Sequence, residues 1–254
     1  MAEKGIKCFR LYIFWTVTFV GLLVPYLLYS VTAKQTSFDD KILSYIVDLK
    51  FQDLEFYFRD DNGELFRSIQ NLKTWMDGKH KKLVFATNGG IYMQDNTPLG
   101  LFIQEHKILR RLNTSTGYGN FYLKPNGIFY VTTDSKAFVC KTADFINTEK
   151  IRFATQSGPM LIIEGKINPI FNQGSNSLNI RNGVGILPDG KVVFAMSREP
   201  VSFYDFASYF EISGCTNALY FDGVVSRTYL PEKNWLQTDG DFGVIIGVTK
   251  EKLK

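Results

Sequence analysis

Short apolar runs recur along this chain at about ten-residue spacing, and most of them break at a polar residue beside glycine. Leu83-Val-Phe-Ala86, Met160-Leu-Ile-Ile163, Lys191-Val-Val-Phe-Ala-Met196 and Asn217-Ala-Leu-Tyr-Phe-Asp222 are examples. Runs this short, rich in aromatic and β-branched residues, read as buried strands rather than helices. A chain punctuated this way has little choice but to build sheet. Asp60-Asp-Asn-Gly63 and Pro188-Asp-Gly190 are turn signals between such runs.

Three hairpins are expected. Pro98–Gln104 pairs with Lys107–Leu109, Asn120–Leu123 with Gly127–Thr132, and Val184–Leu187 with Lys191–Met196. Two stretches carry helical spacing instead. Leu65, Ile69, Leu72 and Met76 recur every three or four residues up to Asp77-Gly78. Ser202–Glu211 puts Phe203, Phe206, Ala207 and Phe210 on one face, with Ser202 as N-cap. Thr142–Thr148 reads as a short third helix capped by Thr142. Lys79–Lys82 is read as a solvated charge run. No internal repeat and no second linker occur. The fold class is therefore α+β: a single domain over residues 43–254, on a mainly antiparallel sheet with two or three helices.

The N-terminus differs in kind. Leu11 to Val31 is an uncharged, mostly apolar run of 21 residues, long enough to cross a hydrocarbon core of about 30 Å. Lys4, Lys7 and Arg10 precede it, so residues 1–10 are expected to stay in the cytoplasm while the rest is exported. Residues 32–42 read as a stalk. The expectation is a single-pass protein with a periplasmic or extracellular domain, anchored in the membrane through residues 11–31. The alternative is secretion after cleavage near Ala33. Of the three cysteines, Cys8 precedes the apolar run, and Cys140 and Cys215 could pair in an oxidising compartment or stay as two buried thiols.

Several chemistries are absent from the sequence. The first 33 residues hold three of the 29 basic and one of the 25 acidic side chains. The remainder is near neutral, which gives no reason to expect a nucleic-acid partner. His80 and His106 lie in polar segments, and neither His-Glu-x-x-His nor Cys-x-x-Cys occurs, so no metal site and no cofactor is expected. Walker and Gly-x-Ser-x-Gly motifs are missing.

What remains is one repeated device, a buried strand that breaks at Asn, Ser or Asp beside glycine. It occurs at Asn88-Gly89-Gly90, Ser157-Gly158-Pro159, Arg181-Asn182-Gly183 and Asp222-Gly223. Glycine lets backbone amides approach a ligand closely. Asn, Ser and Asp suit sugar hydroxyls, and Arg181 and Arg227 suit phosphate or carboxylate. With the polar segment Asn168–Asn182, the four breaks point to one pocket at one edge of the sheet.

In order, these stretches resemble the phosphodiester glycosidases. Asn88-Gly-Gly-Ile-Tyr92 is similar to the family's Asn-(Ala/Gly)-Gly-Phe/Tyr segment, and Ser157-Gly-Pro-Met-Leu161 to its Ser-Gly-Pro-x-Leu. Arg181-Asn-Gly-Val-Gly185 is similar to its Arg-x-x-x-Gly strand entry. Asn217–Ser226 resembles its Ala-x-x-x-Asp-Gly-Gly-x-Ser element, with Val224 and Val225 in place of its further glycines. Gly119–Gly127 resembles a bacterial branch. The likeness spans residues 83–248.

The resemblance implies hydrolysis of a sugar-1-phosphodiester or phosphorylated glycan. It assigns Asp222 as the carboxylate and Arg181 to the phosphodiester. Asn88, Gly89, Gly90, Ser157, Gly158 and Gly223 would position substrate, and Ser226 and Arg227 would close the pocket. Asp222 could instead hold Arg181 in place. A second carboxylate would come from Asp95, Glu199 or Glu232. The competing readings are a non-catalytic envelope polysaccharide-binding protein and an exopolysaccharide assembly protein.

Overall fold

The computed structural model describes residues 40–223 and 225–252. The expected n-region, apolar span and nearly all of the stalk lie outside them. Among the described residues no helix is long and apolar enough to cross a membrane. From Ile42 onward the chain forms one compact unit.

That unit is built from three sheets, in which every strand pair is antiparallel. The six-stranded sheet contains β1 (Ile42–Val47), β9 (Met160–Ile163), β10 (Lys166–Ile167), β11 (Asn182–Ile186), β12 (Val192–Ser197) and β13 (Asn217–Asp222), in the order β1-β12-β11-β13-β9-β10. The second contains β2 (Asp53–Tyr57), β3 (Lys81–Asn88), β14 (Thr228–Leu230), β15 (Trp235–Leu236) and β16 (Ile245–Glu251), in the order β15-β14-β3-β16-β2. The third contains β4 (Phe102–Gln104), β5 (Lys107–Arg110), β6 (Gly127–Thr132), β7 (Ala137–Lys141) and β8 (Ile151–Ser157), in the order β5-β4-β8-β6-β7.

All three sheets turn aromatic side chains into one core. Phe85 stacks on Tyr45 at 4.6 Å and meets Phe194 at 5.1 Å. Phe56 stacks on Phe129 and Phe153, and Phe129 in turn packs against Phe194 and Phe221. Such contacts join strands from all three sheets, so the sheets are not independent layers. Three sheets around one core is more than the single sheet expected from the sequence, but the α+β class holds.

Two α-helices occur among the described residues. In α1 (Ile69–Gly78), Ile69, Leu72 and Met76 are buried, and the Ser68 side chain accepts from the Asn71 amide as N-cap. Leu65 falls outside the helix, in a bridge to Arg59. In α2 (Phe203–Ile212), Ser202 caps as expected. Its hydroxyl accepts from the Asp205 amide at 3.0 Å and donates to the Asp205 carboxylate at 2.7 Å.

Two expectations fail. Thr142–Asp144 is a single 3₁₀ turn with Lys141 at its cap position, and the Thr142 hydroxyl accepts from Gln156 instead. Asn120–Tyr122 is another 3₁₀ turn, and β6 pairs with β7 rather than with that segment. The other two hairpins form, the first from Phe102–Gln104 and Lys107–Arg110 alone, since Pro98 bridges Tyr92 instead. The second closes through Pro188-Asp-Gly190, where Gly190 takes φ +83° and its amide donates to the Leu187 carbonyl.

Candidate active site

The polar residues flanking the glycine breaks meet where the three sheets end together. Asn88 closes β3, Ser157 closes β8, Asn182 opens β11 and Asp222 closes β13. A bulge fixes the last of these. Asn182 pairs with Asp222 and Gly183 with Tyr220, so β13 carries one extra residue. A bulge bends a strand and re-aims the side chains at its end.

Asn182 is the hub. Its amide nitrogen donates to the Asn88 carbonyl at 2.9 Å, to Asn88 Oδ1 at 3.1 Å and to the Thr87 hydroxyl at 3.1 Å. Its Oδ1 accepts from the Asp222 amide at 2.8 Å and the Ser226 hydroxyl at 3.1 Å. Asn88 Oδ1 also accepts from the Arg227 amide at 3.0 Å, while its Nδ2 faces Asp222 Oδ2 at 3.4 Å. Ser157 donates to the Phe221 carbonyl at 2.8 Å and thereby ties β8 to β13 one residue before Asp222. Asn88, Ser157, Asp222 and Ser226 therefore lie together at these strand ends, whereas Arg181, expected around the same cleft, bonds Ser197, Val201 and Ser177 instead. Asn182 was read from sequence as part of one of the four breaks but was given no role of its own, which went to Arg181 beside it.

The Asp222 carboxyl lies in protein on most sides. Burial pushes its pKa up to about 6, against the pull of bonds from the Gly223 amide and Asn88. Burial also drives up the phenols of Tyr92 and Tyr220, with the Asp222 charge adding to both. The Asp222 carboxyl does not prop up Arg181. The Arg181 guanidinium is buried and donates from Nε to the Val201 carbonyl and from Nη2 to the Ser177 carbonyl, both at 2.9 Å. It lies 3.6 Å over the Phe203 ring. Burial draws its pKa down, and among the described residues no carboxylate pairs with it.

Other expected site groups are already engaged. The Gly89 amide donates to the Val244 carbonyl, and the Gly223 amide to Asp222's own Oδ1 at 2.7 Å. Gly90 takes φ +148°, and a Cβ there would stand 2.9 Å from the Thr155 hydroxyl. Gly158 backs onto Asn126, with which a Cβ would collide. Arg227 spends its guanidinium on Asp239 at 2.9 Å and on the Ser226 carbonyl. Asp95, Glu199 and Glu232 are exposed, and the Asp222 carboxyl takes its bonds from Gly223 and Asn88 instead.

Cavities of about 630, 570 and 500 Å³ open elsewhere, and none of these three is lined by Asn88, Ser157, Arg181 or Asp222. His80 and His106 are exposed. Among the described residues no three His, Cys, Asp or Glu side chains are grouped to hold a metal ion. Cys140 and Cys215 are both free thiols, and burial raises them to about 11 and about 12, away from reactivity.

The shared strand ends thus hold a partly buried carboxyl framed by side-chain amides. The chain belongs to the phosphodiester glycosidase family, a family of hydrolases, whose model matches residues 81–248. It is 36% identical over 207 residues to the uncharacterized protein YigE of Escherichia coli (strain K12), covering 80% of this chain and 81% of that one. Its fold is similar to the catalytic domain of zebrafish N-acetylglucosamine-1-phosphodiester alpha-N-acetylglucosaminidase, with a TM-score of 0.52 at 14% identity, over 82% of this chain and 88% of that one. It is also similar to a putative exported protein from Burkholderia pseudomallei, with a TM-score of 0.52 at 10% identity, over 82% and 73% of the two chains. At these identities the last two likenesses are of fold alone.

Proposed function

We propose that this protein is a hydrolase that cleaves a sugar-1-phosphodiester in the cell envelope, with Asp222 as the reacting carboxyl. The observation that carries this reading is the Asp222 carboxyl itself. It sits at the bulged end of β13, framed by Asn88, Asn182 and Ser226, with a pKa of about 6. That value leaves it ionised at neutral pH yet basic enough to accept a proton.

As base, Asp222 takes a proton from water while the water oxygen bonds to the anomeric carbon. The anomeric carbon–oxygen bond to phosphate breaks, and its electrons stay on the phosphate oxygen. Glycosidases commonly add a second carboxyl to protonate the leaving oxygen. A phosphomonoester leaves as a stable anion, its second pKa being about 6, so a lone carboxyl suffices. Arg181 is the cation suited to that anion. The envelope assignment rests on the uncharged run 11–31 behind Lys4, Lys7 and Arg10.

The Asp222 carboxyl bonded by Gly223 and Asn88, together with the engaged amides of Gly89 and Gly223, is also compatible with a second reading, a non-catalytic protein that binds an envelope polysaccharide or assists its assembly. Incubation of the protein with a panel of chromogenic sugar-1-phosphodiesters separates the two. Release of sugar that is lost in Asp222→Asn supports the hydrolase. Retained binding of phosphorylated glycans with no release across the panel supports the second reading.

A further inference from the structure

The Tyr220 hydroxyl is buried and meets no hydrogen-bond partner at bonding geometry. A buried hydroxyl left without a partner is costly and rare enough in a folded protein to need an explanation. Its surroundings supply one. Tyr220 lies two residues before Asp222 on the bulged strand. Its ring packs edge-on against Phe203 at 4.8 Å, and Phe203 carries the Arg181 guanidinium on its face. The guanidinium stands 5.7 Å from the Tyr220 ring centre.

Arg181 and Asn120 are close enough to pull the phenol's pKa down against its burial. Arg181 can only donate, and the Asn120 amide, whose oxygen could accept, does not meet the hydroxyl at bonding geometry, so the hydroxyl's own proton is left without an acceptor. Gly223 keeps the space beside the hydroxyl open, since a Cβ there would stand 2.7 Å from it. The Arg181 Nη2 proton meanwhile goes to the carbonyl of Ser177, in the exposed stretch 172–178.

We propose that the Tyr220 hydroxyl, the Arg181 guanidinium and the Asn120 amide form an oxyanion site for a phosphoryl group. Tyr220 donates to one non-bridging oxygen, and a second oxygen replaces the Ser177 carbonyl on Arg181. The identity of the phosphoryl group as part of a sugar-1-phosphodiester rests on the function proposed above, whereas the oxyanion site itself does not. Tyr220 occupies a position that the family pattern leaves open. Asn120 comes from Gly119–Gly127, the stretch that resembles the bacterial branch.

The test compares the full chain with Tyr220→Phe and Asn120→Ala, using inorganic phosphate as probe in titration calorimetry. Tyr220→Phe keeps the ring and its packing, so its melting temperature is expected to equal or exceed that of the unsubstituted chain. Phosphate binding is expected to weaken about tenfold in Tyr220→Phe and severalfold in Asn120→Ala. No phosphate binding by the unsubstituted chain, or equal affinity in all three proteins, overturns the inference. The second arm measures hydrolysis of a chromogenic sugar-1-phosphodiester. There, Tyr220→Phe is expected to lower kcat/KM about tenfold while the limb set by Asp222 near pH 6 stays in place. Turnover unchanged in Tyr220→Phe overturns the inference and leaves the hydrolase standing. If the unsubstituted chain hydrolyses nothing, the hydrolase reading fails and phosphate binding alone decides the oxyanion site.

Discussion

Asp222 holds its proton more tightly when folded than when unfolded, because burial raises its pKa from 3.8 to about 6. The stabilisation this group gives is therefore fully present below about pH 4 and is lost as pH rises through about 6. Above that range the folded chain carries a buried carboxylate at a cost of about 3 kcal/mol. Asp222→Asn removes that cost but loses the bond from Asn88, worth about 1 kcal/mol. The variant is expected to melt higher than the unsubstituted chain at pH 7, with the gap closing toward pH 4. Its turnover should fall about 10²–10⁴-fold. In the unsubstituted chain kcat/KM should drop as pH falls below about 6. A melting gap that widens toward low pH would refute the burial argument. Asn182→Ala strands the Asp222 amide and the Ser226 hydroxyl, and should cost about 2–4 kcal/mol in urea unfolding. Asn88, Ser157 and Asp222 were legible because a polar residue beside glycine interrupts an apolar run. Tyr220 was not, since an aromatic inside an apolar strand reads as core. Neither were the engaged amides of Gly89 and Gly223. Whether an amide is free depends on a partner elsewhere, and for Gly89 that partner is the Val244 carbonyl.

Among the elements, β11 is the strand that the site can least afford to disturb. It lies between β12 and β13, and its first residue is the Asn182 hub. A Cβ on Gly183 would stand 2.6 Å from the Leu219 backbone carbonyl on β13, with Leu161 and Phe206 close behind. Backbone in a central strand cannot step aside as a side-chain tip can. Gly183→Ala should therefore cost about 1–3 kcal/mol or more and open the bulge that aims Asp222. Thermal melts and activity should decline together, and a variant with unchanged melting would contradict the close approach. Local signals revealed most elements. Period-three-and-four spacing found α1, a Ser cap found α2, and Asp-Gly found the β11–β12 hairpin. They failed at Asn120–Leu123, where Pro125-Asn-Gly127 reads as a hairpin turn. The hairpin partner of β6 follows it in sequence, at Ala137–Lys141, and β8 pairs on its other side.

At the scale of the molecule, the α+β class was legible but the three sheets were not. β1 pairs with β12 and β2 with β16, and no local pattern names partners so far apart in sequence. The exported placement remains a proposal from sequence. A reporter active only outside the cytoplasm, fused after Lys254, should be active, and activity of a cytoplasm-only reporter there would sink it. The shared core makes the last prediction. Phe56 of the second sheet stacks on Phe129 and Phe153 of the third, and Phe129 packs on Phe194 and Phe221 of the six-stranded sheet. No sheet can leave without exposing aromatic surface on the other two. Each buried Phe is worth roughly 1.5–3 kcal/mol of burial, so a partly unfolded form lacking one sheet lies well above both end states. Residues 42–252 should unfold in urea as one transition, with tryptophan fluorescence and far-ultraviolet circular dichroism giving the same midpoint. Phe129→Ala should cost about 3–5 kcal/mol and shift both midpoints equally. Separate midpoints, or a shift seen by one probe alone, would mean that the sheets are energetically distinct and that the strand ends forming the site can come apart without global unfolding.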